Sequence, residues 1–224
     1  MTPKSMNLSK LLKLFELNEA QLTTALRSEL RTERRKALDI DDDGGGDFHV
    51  PFWSDAKLHV MGLVELLKQV EVRVDASKQR KRLYPLLARG FLLWLDNLRR
   101  GTNRKIGFEP ISAHNHFEFA ELGLTLKVDN LLCVKIGEDR YRLVYPYFSE
   151  KPVLGAKWAR VGLWAMTEAL ENYSYTDMEI LDVLRGNSYS GLNFSLKGDE
   201  EALFISKYRE IKAKWDELRP EYGF

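Results

Sequence analysis

The chain holds a single cysteine, Cys133, in 224 residues. One thiol cannot close an internal disulfide, so the fold has to be held by its core. Cys133 sits in the apolar run of residues 131–134, which reads as a buried, inert thiol rather than a nucleophile. Also missing is any uncharged run of the ~18 residues a membrane span needs. Lys10, Lys13 and Glu16 interrupt the apolar stretches near the start, so no signal-peptide pattern forms there. These absences predict a cytoplasmic protein without membrane contact. Charge of one sign is lacking too: 34 Lys and Arg against 33 Asp and Glu leave a net +1. No global field then draws the protein onto nucleic acid or an acidic membrane, and such binding needs a local patch. There is no Gly-rich phosphate loop, no nucleophile elbow, no CxxC pair and no internal repeat.

What remains is ordinary globular material, 44% hydrophobic and 30% charged. A chain of this length hides roughly 70% of its unfolded surface, enough for a core without staples. Leu8, Leu11, Leu12 and Phe15 predict a first helix by their spacing. Asn18, with Gln21 three residues on, predicts the N-cap of a second, whose stripe is Leu22, Leu26 and Leu30. Residues 39–47 form an acidic stretch with Gly44, Gly45 and Gly46 in a row. Glycine at that density predicts a hinge. The expected organisation is therefore a helical N-terminal arm at 1–38, a hinge at 39–47 and an α+β body at 48–224.

In the body, Ser54 is placed to cap a helix reaching Val70. A second helix is expected over 77–100, kinked or restarted at Pro85 and stopped by Gly101. From Ile106 to Phe148 the period changes to two. Phe117 and Phe119, then Leu124, Leu126 and Val128, then Tyr141, Leu143 and Tyr145 predict a three-stranded antiparallel meander. A helix over 156–170, a strand over 178–184 and an amphipathic helix over 199–218 complete the chain. The fold class is α+β, an antiparallel meander in a mixed sheet flanked by helices.

That order, with Asp129 closing the strand of Leu126, Lys127 and Val128, resembles the PD-(D/E)XK nuclease superfamily, most closely the nuclease domains of recombination helicase–nucleases. The likeness runs from about Ser77 to Leu218. It implies that Asp129 is a metal-binding carboxylate and that an acid, a spacer and a lysine follow on the next strand. Positions 145 and 147, where those two should fall, hold Tyr145 and Tyr147. The resemblance thus implies a degenerate copy, a non-catalytic binding or accessory protein with no cofactor. The alternative is a metal-dependent nuclease with a rearranged site of Asp129, Glu150 and Lys151, with Glu118 as a further acid. It would use Mg²⁺ or Mn²⁺ to activate water and clamp the phosphate.

Other constellations stay open. His114, His116 and Glu118 alternate on one strand and would converge on one side, as metal ligands or as a wet face. Asp39, Asp41 and Asp43 followed by Gly44 match the first half of a calcium loop, but Val50 stands where its closing Glu belongs. Arg27, Arg31, Arg34 and Arg35, and further on Lys78, Arg80, Lys81 and Arg82, are spaced to track phosphates, so nucleic acid is one expected partner. Glu29 and Glu33 instead offer those arginines local pairs. A protein partner bound through the arm is the third reading. Tyr141, Tyr145, Tyr147, Phe148, Trp158 and Trp164 suit base stacking or, more simply, core packing.

Overall fold

A computed structural model describes residues 5–38, 48–108 and 115–223. The chain begins with β1 (Ser5–Asn7), α1 (Leu8–Phe15) and α2 (Glu19–Ala37). Asn18 caps α2 as its sequence predicts: its side chain accepts from the Gln21 N–H, and the Gln21 side chain accepts from the Asn18 N–H. α3 (Val50–Val60) starts four residues before Ser54. Pro51 lies in its first turn, where a missing N–H costs no helical bond. Gly62, at φ 75°, ends that helix, and α4 (Leu66–Ala76) follows. The helix expected over 77–100 is a 3-10 turn at Lys78–Arg80 and then α5 (Tyr84–Arg100). Pro85 restarts the chain in the first turn of α5.

The strands are β2 (Ile106–Phe108), β3 (Asn115–Phe119), β4 (Leu124–Val128), β5 (Leu132–Ile136) and β6 (Arg140–Tyr147). After α6 (Ala156–Ala169) come β7 (Met178–Asp182), β8 (Asn187–Ser190) and α7 (Glu200–Leu218). They form a five-stranded sheet of order β2-β5-β6-β7-β8 and a three-stranded sheet of order β1-β4-β3. An antiparallel trio exists, but its members are β2, β5 and β6. The hairpin β3–β4, expected inside the meander, leaves that sheet and pairs with β1. Period two marks a strand without naming its partner. The partner changes here because the chain turns at Asn130, whose φ of 60° is left-handed. The large sheet is mixed, since β6 and β7 run parallel with α6 as their crossover.

Both faces of that sheet are covered. Leu143, Tyr145, Tyr147, Met178 and Ile180 face α1, α6 and α7 in one core cluster. Leu132, Val134, Val144, Leu181 and Val183 face α3, α4 and α5 in a second. α5 approaches closely because residue 90 is glycine: a Cβ there would sit 2.1 Å from the Val183 carbonyl oxygen. The first two helices do not stand off as an arm. Leu8, Leu11, Leu12, Phe15, Leu22, Leu26 and Leu30 are buried in the first cluster, where α1 packs on α6 and α2 on α7. The stripes that predicted the helices are wide enough to need a core, and the body supplies it. The hinge expected at 39–47 lies outside the described residues, as does the half calcium loop within it.

Candidate functional site

The site follows from a mismatch of strand lengths. β6 has β5 as a neighbour only as far as Val144, which pairs Leu132. On its other side β7 keeps pace to Tyr147, which pairs Asp182. Residues 145–147 therefore lie beside a space that a longer β5 would have filled. Pro146 is tolerated there because its absent N–H interrupts no β5–β6 bond. Residues 129–131 cross the space on their way from β4 to β5, α1 and α3 close its sides, and a cavity of about 600 Å³ remains.

Asp129 lines this cavity at the exit of β4. Its Oδ1 accepts a long 3.4 Å contact from the Asn130 amide, and the Asn130 carbonyl accepts from Trp53 Nε1 on α3. Asp129 is thus both a turn residue and part of the wall. Three ammonium groups share the cavity, Lys10 and Lys13 from α1 and Lys57 from α3. Lys10 is held by Glu29 at 2.5 Å. Burial pushes the Lys57 ammonium down from its ordinary pKa, and the Asp129 carboxylate partly restores it. Part of the remaining wall is aromatic. His49 stacks flat on Phe148 at 4.6 Å, and Phe148 meets Trp53 edge to face at 5.7 Å.

Tyr145 and Tyr147 stand at the end of β6, and each hydroxyl is tied to a backbone group. Tyr145 Oη accepts from the Ser9 N–H in the first turn of α1 at 2.9 Å. Tyr147 Oη donates to the Pro152 carbonyl at 2.8 Å. Burial pushes both phenols up to about 12.

The structure does not bring Glu150 and Lys151 to Asp129. Neither lines the cavity. Arg82 grips both oxygens of Glu150 at 2.6 Å and holds its carboxyl below the usual range, on the surface. Lys151 is exposed in the loop that leads to Pro152. Glu118 and His116 are exposed on β3, opposite Thr125 and Lys127, while His114 lies outside the described residues. Among the described residues no group of three His, Cys, Asp or Glu side chains is placed to hold a metal. Around Asp129 the donor chemistry does not suit Mg²⁺ or Mn²⁺: one carboxylate and two amides, of Asn7 and Asn130, line the cavity with three ammoniums, and Glu29 is engaged by Lys10.

The basic stretches stay apart. Arg27 pairs with Glu221, while Arg31, Arg34 and Arg35 are exposed toward the end of α2. Lys78, Arg80, Lys81 and Arg82 lie between α4 and α5, with Arg80 over the Tyr84 ring and Arg82 on Glu150. No protein-family model matches the chain, and no curated protein matches it in a sequence search.

Lys10, Lys13, Lys57, His49 and Trp53 were not singled out by sequence reasoning as a site. The spacing of Lys10 and Lys13 places both on one side of α1, which is a weak signal. Lys57 offered none, because its neighbours come from three distant stretches of chain. A second polar centre also went unseen. On the α5 face of the sheet, Arg142 pairs with Glu179 at 3.1 Å and reaches Ser190, and Trp94 Nε1 donates to Glu179 at 2.7 Å.

Proposed function

We propose that this protein is a non-catalytic binding or accessory protein built on a degenerate nuclease-like fold, with the cavity beside Asp129 as its binding site. The observation that carries the reading is the use made of Tyr145 and Tyr147. A nuclease needs an acid and a lysine there, turned toward the metal and the water. In this chain both side chains are buried and their hydroxyls tie down α1 and the 152 loop. The one retained acid faces Lys57 in a cavity with an aromatic wall, an arrangement for holding a ligand rather than cutting one.

The test is a cleavage assay on single- and double-stranded DNA and RNA with Mg²⁺ and with Mn²⁺, beside a calorimetric titration of Mn²⁺. The expected result is no cleavage, and the same weak Mn²⁺ heat from wild type and Asp129→Ala. Cleavage that is lost in Asp129→Ala would overturn the proposal in favour of the rearranged nuclease.

Nucleic acid is supported as the larger partner by one feature. Arg31, Arg34 and Arg35 are exposed and form no ion pair among the described residues. Charge-reversing those three would weaken binding of any nucleic acid partner and flatten its salt dependence. A protein partner docking through a free arm has less support, because the apolar faces of α1 and α2 are already covered.

A further inference from the structure

We infer that the cavity beside Asp129 takes a nucleotide, a small molecule joining a phosphate group to a planar ring through a hydroxylated sugar. The inference rests on the binding reading above and adds the chemistry of the ligand. Volume comes first: about 600 Å³ lies in the middle of the range for sites that enclose one small molecule.

Charge comes second. Lys10 is neutralised by Glu29 at 2.5 Å. Lys13 is exposed at the mouth and makes no ion pair among the described residues. Lys57 is half-buried, where burial disfavours the ammonium and the Asp129 carboxylate offsets only part of that. Lys13 and Lys57 are thus two cations on different helices, α1 and α3, that line one cavity.

The other polar groups favour an anion that also brings hydrogen-bond donors. Asp129 would repel a phosphate chain that filled the whole cavity. A carboxylate only accepts hydrogen bonds, so it calls for a ligand that brings donors at that point. Sugar hydroxyls and ring amines are such donors, whereas a fatty chain offers none. Near Asp129, Trp53 is buried and fixed by its N–H bond to the Asn130 carbonyl, and the half-buried His49 is stacked on Phe148. The His49–Phe148 stack is already in place, so a flat ring laid against it orders little.

The experiment is calorimetric titration of ADP, GDP, CDP and UDP into the full chain, with adenosine and inorganic phosphate as separate probes. Wild type is expected to bind at least one of the four diphosphates about tenfold or more tighter than either fragment. Lys13→Met and Lys57→Met should each weaken that binding by about tenfold, the loss of one charge-assisted hydrogen bond. Lys13 is exposed, so its variant should keep the wild-type unfolding midpoint. Heat from none of the four, or affinity unchanged in both variants, would overturn the assignment. Each diphosphate is also followed for turnover. A bound nucleotide that is hydrolysed would refute the non-catalytic reading and leave the ligand class standing. An unbound panel with no cleavage of any polymer would do the reverse.

Discussion

Strand β6 carries polar side chains into the protein at both ends, and the two ends use different chemistry. At its start Arg142 is 12% exposed and its partner Glu179 4%, with Trp94 and Ser190 as further partners. A cavity of about 520 Å³ opens beside them, rimmed by Asn97, Asn187 and Asn193. At its other end Tyr145 and Tyr147 bring only neutral hydroxyls, each matched to one backbone group. A buried ion pair loses several kcal/mol of hydration per ion, and an apolar pair of similar shape often serves stability as well or better. A buried hydroxyl with one good partner costs little and adds roughly 1 kcal/mol net. The tyrosine end is therefore explained by stability alone. The arginine end is not, and it breaks an otherwise apolar face under α5.

The comparison breaks most completely if the tyrosine end loses its support. Removing residues 1–38 takes away α1 and α2, and with them the Ser9 N–H that Tyr145 accepts from. It also strips the core of Leu8, Leu11, Leu12, Phe15, Leu22, Leu26 and Leu30. At about 1.5–3 kcal/mol for each such side chain, the loss approaches or exceeds the ~5–15 kcal/mol by which domains are stable. The truncated chain is expected to lack cooperative unfolding and near-ultraviolet circular dichroism. A sharp, native-like transition would restore the independent arm.

The arginine end gives the next largest effect. Glu179→Ala leaves a buried guanidinium and the Trp94 N–H without their acceptor. Breaking such a pair from one side costs about 3–5 kcal/mol, read as a lower urea midpoint at unchanged slope. Replacing both partners, Arg142→Met with Glu179→Leu, should return most of that loss. If the double variant is as unstable as the single one, the pair is a structural strut after all, and the contrast between the two ends disappears.

Legibility in the sequence divides along similar lines. The helices announced themselves through Leu and Phe at helical spacing and through Asn18 and Gln21, because both signals are local. Strands β3, β4 and β6 announced themselves through period two, but pairing is non-local. Nothing in residues 115–128 says that β4 will join β1 rather than β6. The α+β class and the mixed sheet with helices on it were legible. The route of the chain at Asn130, which separates the two sheets, was not. Of the candidate site, Asp129 was legible only as an acid at the end of a predicted strand. Glu150 and Lys151 looked adjacent to it only along the chain, and Arg82 holds Glu150 on the surface. Lys13 and Lys57 meet Asp129 only in space.

Tyr145 offers the finest test of the contrast, because its neutrality can be titrated. Tyr145→Phe keeps the ring and removes the acceptor, so the Ser9 N–H loses its partner at a cost of about 1–3 kcal/mol at neutral pH. The wild-type phenol is pushed up to about 12, chiefly by burial, with the Ser9 contact opposing and the Asp129 charge adding to the rise. The unfolded phenol titrates near its ordinary value of 10. Below pH 10 both states hold the proton and the full contribution is present. Between 10 and 12 the unfolded state releases its proton first, so stability falls as pH rises. By pH 11 this one group should have cost wild type roughly 1 kcal/mol relative to pH 9, and the phenylalanine variant is spared that loss. Urea midpoints of the two proteins should therefore differ by a constant amount up to about pH 10 and then converge. Curves that stay parallel to pH 11 would mean that Tyr145 ionises as readily folded as unfolded. The hydroxyl would then be open to the cavity, free to meet a ligand instead of holding α1.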